Sequence, residues 1–173
     1  MGQCGSLIAD IAAIGIRNAN RLVEGIPADR FARFAAPGNV TITANHPAFI
    51  FGHLCLYPAN VFKLIGQEGI AQPPAHYDAL FSKNATCVDD PDGSIYPTGT
   101  ELKAFFDSSY ATAVEAIRQV SDEQLAAPNP VDSPLQAILP TLGALIGLYL
   151  TNHVTLHLGQ LSTWRRMEGL PPA

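Results

Sequence analysis

The sequence predicts an all-α fold, a four-helix bundle, on three observations. Four stretches carry apolar residues at helical spacing. No segment sustains the period-2 alternation of a half-buried strand. A long irregular connection separates the second stretch from the third, as a crossover with non-alternating topology requires. The length of 173 residues suits a single domain, residues 1–173, with one core. Hydrophobic residues make up 47% and charged residues 14%, which places the chain among ordered globular proteins.

The first helix is expected from about Ser6 to Glu24. Leu7, Ile11, Ile14, Asn18 and Leu22 share one face, and Asp10, Arg17, Arg21 and Glu24 form an opposite, wet face. Gly25 is placed to end it. The loop "APGNVTITAN" leads into a second helix that Asn45 can cap and Pro47 can open. Phe49, Ile50, His53, Tyr57, Val61 and Leu64 continue its apolar stripe, and Pro58 should kink it. The connection from Glu68 to Pro97 is rich in Pro, Asp, Asn and Gly. The third helix begins near Thr98 or Thr100, with Leu102, Phe106, Tyr110, Ala113, Ile117 and Val120 as its stripe.

The fourth helix is expected from about Leu139 or Pro140 to Glu168. Leu142, Ile146, Tyr149, His153, Leu156 and Gln160 share one face. Gly143 and Gly147 would let a neighbour approach closely. Arg165 and Arg166 suit the last turn of the helix dipole, and Gly169 stops the helix.

Composition excludes several classes of function. The net charge of -5, with ten scattered Lys and Arg, cannot form the basic stripe of a nucleic-acid binder. No apolar run is long enough for a transmembrane helix, so no membrane partner is expected. Three cysteines, an odd count without CxxC, point to a reducing cytoplasm rather than a disulfide framework. Cys55 reads as a small buried hydrophobe. HExxH, Glu-x-x-His, G-x-S-x-G, the P-loop and G-x-G-x-x-G are all absent.

The histidines carry the chemistry. His153 and His157 lie four residues apart, about 40° of rotation and about 6 Å of rise on a helix. Their ring nitrogens can converge on one ion. The pair alone is equally consistent with two histidines hydrogen-bonded in the core or at its rim. His53 changes the balance, because its stripe faces the same core and three unpaired buried imidazoles would be costly. A shared divalent metal removes that cost and leaves one or two coordination positions open, the arrangement of a catalytic site. His46 lies about 10 Å from His53 along the helix axis and reads as a capping or pocket-rim residue. His76 in the long connection is a weaker candidate for a mobile fourth ligand. Tyr57, Tyr149 and Gln160 fall near the metal face; each could orient a ligand or simply fill the core.

The segments "FIFGHL" and "NHVTLHLGQLSTWRRMEGLP" resemble the DinB-like (DinB/YfiT) superfamily of bacterial metalloproteins. The matching positions are Phe49, His53 and Leu54, then His153, His157, Gly159, Gln160 and Leu161, then Arg165, Arg166, Gly169, Leu170 and Pro171. Phe49 stands where Trp is commoner. The resemblance implies a four-helix bundle of up-down-down-up topology and a divalent metal, zinc or nickel or iron, on His53, His153 and His157. It also implies a homodimer. The characterised enzymes of the family use low-molecular-weight thiols, and so the resemblance points to a thiol-dependent S-transferase acting on small electrophilic molecules. The alternatives are metal-dependent hydrolysis, or a non-enzymatic stress-related bundle whose metal is structural.

Overall fold

The computed structural model describes residues 2–173, and among them helices are the only regular elements. The helices are α1 (Gln3–Val23), α2 (Pro47–Leu54), α3 (Tyr57–Leu64), α4 (His76–Phe81), α5 (Gly99–Gln119), α6 (Asp122–Ala126), α7 (Leu142–Gly147) and α8 (His153–Met167). Two isolated bridges, Ala35 to Ile42 and Pro128 to Thr141, tie connecting segments.

α1 packs on α5 and α8, and α2 packs on the same two helices. The face of α1 turned inward is not the one the apolar pattern marks. Gly5, Ala9, Ala12, Gly15 and Ala19 are buried, while Leu7, Ile11 and Ile14 are exposed. Close approach explains the inversion: a Cβ on Gly5 would meet the Ile117 carbonyl oxygen at 2.3 Å. Small residues let the helices approach backbone to backbone at Gly5, while Ile8, Ile16, Leu22 and Val23 pack at the edge of the core and Leu7, Ile11 and Ile14 are left outside. Both ends of α1 are finished by distant groups. The Asp122 carboxylate accepts from the backbone of Gln3 and Cys4 at 3.1 and 2.8 Å. At the other end the buried Arg165 guanidinium donates to the Leu22 and Glu24 carbonyls at 2.8 and 2.7 Å, and to Pro171 at 3.0 Å. Arg165 thus acts as an internal clamp rather than as a solvated dipole partner.

The second predicted helix is divided into α2 and α3 at Cys55–Leu56. Pro58 is the cause: it has no N–H for the Leu54 carbonyl four residues back. The buried Tyr110 hydroxyl of α5 donates to that freed carbonyl at 3.1 Å. His46 rather than Asn45 is the N-cap of α2, its Nδ1 accepting from Phe49 N–H at 3.2 Å. α5 opens with a Thr98–Glu101 capping box. The long connection holds α4, which packs against α2.

The fourth predicted helix starts at Leu142 and contains a π-helical turn, Leu148–Asn152, between α7 and α8. His153 N–H reaches back five residues to Leu148. The extra residue in that turn advances the inward stripe to Leu150, Val154, His157, Leu158 and Leu161, and leaves Leu156 63% exposed. Leu156 is therefore not on the core face that α-helical spacing assigns it. Gly143 does permit a close approach, with Leu125; nothing approaches Gly147.

Candidate metal centre

The site lies between α2 and the start of α8. His53 is on the last turn of α2; His153 and His157 are one turn apart on α8. His153 Nε2 lies 3.3 Å from His53 Nε2 and 3.1 Å from His157 Nε2. One nitrogen from each of the three rings lies within 4.8 Å of the others.

The far nitrogens of two rings decide which nitrogens face inward. His53 Nδ1 is 2.7 Å from the Phe81 carbonyl, so it must carry the proton it donates. His157 Nδ1 is 3.0 Å from Gln160 Oε1, which likewise only accepts. Asn45 Nδ2 donates to the same oxygen at 3.2 Å and fixes the amide's orientation. Both Nε2 atoms therefore present lone pairs to the same point. His153 can satisfy at most one of them with a proton, and its own buried Nδ1 has no partner. The Tyr57 hydroxyl, 3.3 Å from His53 Nε2, can serve the other, and a divalent cation among the three nitrogens would serve all of them at once. The separations support that reading: tetrahedral zinc with Zn–N bonds of about 2.0–2.1 Å spaces its nitrogens by about 3.3 Å. The three residues thus fit a divalent metal held by neutral imidazoles.

Burial keeps the rings neutral. It is the chief cause of the lowered pKa of His53, His153 and His157, with His153 lowered to about 3. The Tyr57 hydroxyl is 3.3 Å from His53 Nε2, and its ring lies 4.1 Å from that of His153. Burial raises the Tyr57 pKa, so the hydroxyl remains a donor. Tyr149 packs its ring on Tyr57 at 5.2 Å. Tyr57, Tyr149 and His53 line one cavity of about 530 Å³.

The other candidates lie apart from the three rings. His46 is fully buried, with its Nε2 on the Val88 carbonyl at 2.9 Å, and does not line this cavity. His76 opens α4, exposed and outside the three-histidine group. Cys55 is buried with its thiol toward the Leu102 carbonyl, and burial raises its pKa further. Two partners had no signal in the sequence. The Phe81 carbonyl is a backbone group 28 residues from His53, and Asn45 reaches Gln160 over 115 positions.

No curated protein and no solved structure matches the chain. A family model, that of the DinB superfamily, matches residues 14–161, a span that includes His53, His153 and His157. The motifs, the all-helical fold and the three-histidine cluster agree with that match, and the chain belongs to the DinB superfamily.

Proposed function

We propose that this protein is a single-domain four-helix bundle of up-down-down-up topology that holds a divalent metal on His53, His153 and His157. We further propose that it transfers the sulfur of a low-molecular-weight thiol to a small electrophile. The observation that carries this reading is the convergence of the three imidazoles, two of them with Nε2 lone pairs fixed inward by Phe81 and Gln160. Zinc, nickel or iron suits such nitrogen ligands.

Bound there, the metal supplies positive charge that favours a thiolate over a thiol. Everything else belongs to the chain. The histidines stay neutral ligands because burial opposes their protonation. Tyr57, kept protonated, offers a hydrogen bond at the mouth of the site and does not serve as a base. In the transfer the S–H proton passes to solvent and a carbon–sulfur bond forms. A leaving group such as halide departs with the electrons of the bond that breaks. A purely structural metal would be served by a fourth protein ligand, whereas the cluster groups three.

The test is metal content by mass spectrometry on untagged protein, beside a His153→Ala/His157→Ala variant. About one zinc, nickel or iron per chain, lost in the variant, is expected. The loaded protein should then consume a thiol in the presence of a halogenated electrophile. Protein that neither carries a metal nor takes one up from added zinc or nickel would overturn the reading.

A further inference from the structure

The cavity beside His53 is lined by residues of two kinds of chemistry. His53, Tyr57 and Tyr149 line it together, and so do Asp78 on α4 and Lys83 just beyond that helix. Both charged residues are exposed, and neither makes an ion pair among the described residues. They are the only residues lining the cavity with a permanent charge, one of each sign; the polar remainder includes Asn60, Gln72, Ser82 and Asn84.

Their placement is tied to the metal ligands. Phe81 lies between them in sequence, and its carbonyl holds His53 Nδ1 at 2.7 Å. Its ring is fully buried, stacked on Tyr96 at 5.6 Å and edge-on to Phe49 at 6.1 Å. The backbone that orients His53 is thus the backbone that carries Asp78 and Lys83. Asp78 and Lys83 line the same cavity as His53, so a molecule that fills it would face both charges.

We propose that this cavity selects a small zwitterion, with Asp78 receiving an ammonium group and Lys83 a carboxylate. The inference rests on the metal–thiol reading above and narrows it: the thiol is an amino-acid derivative with a free amine and a free acid. A singly charged thiol would leave one of the two groups unmatched, and a neutral thiol both. Each charge contact at so exposed a rim should be worth about two- to fivefold in affinity.

The experiment uses the full-length protein loaded with cobalt(II), whose sulfur-to-metal charge-transfer absorption reports thiol ligation. L-Cysteine, cysteamine and N-acetylcysteine are titrated in turn; cysteamine lacks the carboxylate and N-acetylcysteine lacks the ammonium. L-Cysteine is expected to bind about two- to fivefold more tightly than either. Lys83→Gln should abolish its advantage over cysteamine only, and Asp78→Asn its advantage over N-acetylcysteine only, with cobalt retained in both variants. A preference for L-cysteine over N-acetylcysteine that survives in Asp78→Asn reports amine chelation by the metal and overturns the assignment. Equal affinities for the three thiols with a normal absorption band would overturn it too, while leaving the metal–thiol reading intact. Retained cobalt with no band from any thiol would overturn both.

Discussion

At the scale of single residues, burial holds the three imidazoles neutral, with ring nitrogens close enough to share one cation. In the metal-free protein each has a pKa lowered from the ordinary value of 6.5, chiefly by burial, and that of His153 falls to about 3. The unfolded chain therefore binds more protons than the folded one once pH drops below 6.5. A histidine with a lowered pKa contributes stability in full above that pH and loses it as pH falls toward the folded value. The urea midpoint of the metal-free protein should decline between pH 7.5 and pH 5. His153→Ala, which removes the most strongly shifted group, should make that decline shallower. Identical declines in the two proteins would show that the rings are not held neutral by the fold. Zinc should steepen the dependence in the wild type, since protons compete for the same nitrogens.

At the scale of elements, the site depends on how closely α4 can press against α2. Gly52 precedes His53, and a Cβ there would meet three atoms of the Phe81 ring at 2.4 Å. That ring cannot yield easily, since it is fully buried among Phe49, Tyr77 and Tyr96. Gly52→Ala should therefore destabilise the protein by about 1–3 kcal/mol, as overpacked cores do. It should also displace the Phe81 carbonyl from His53 and weaken zinc binding, by about tenfold or more if it acts like other losses of a ligand's hydrogen-bond partner. Thermal denaturation and competition with a zinc chelator measure the two effects separately. Loss of stability with unchanged zinc affinity would disconnect Phe81 from the metal. Spacing alone revealed the helices and the histidines: His153 and His157 are separated by one turn, and His53 interrupts an apolar stripe. It could not reveal the π turn, because Leu148–Asn152 reads as ordinary α-helix until the positions after it are seen to be rotated. It also marked the wrong face of α1, because hydrophobicity ranks Leu and Ile above the Gly and Ala that the close packing with α5 selects.

At the scale of the whole molecule, that inverted helix leaves an apolar stripe on the surface. Leu7, Ile11 and Ile14, spaced by four and three residues, are 63%, 48% and 49% exposed on α1. Scattered exposed leucines need no explanation, but three on one helical face form the narrow stripe by which two helices pair. If the chain forms the homodimer that the family resemblance implies, we propose this stripe as the face set against its own copy. A twofold axis buries each residue twice, so an interface of this kind gains two contributions from one side chain. Ile11, at the centre of the stripe, should then be the most sensitive position. Ile11→Glu sets two like charges against each other across the axis and should convert a dimer to a monomer in analytical ultracentrifugation. Ile11 is itself half exposed, so helix content and zinc stoichiometry should be unchanged. A wild-type protein that is monomeric at micromolar concentration would remove the dimer altogether. A dimer that survives Ile11→Glu would move the interface to another face, where Leu156, 63% exposed on α8, is the next residue to substitute.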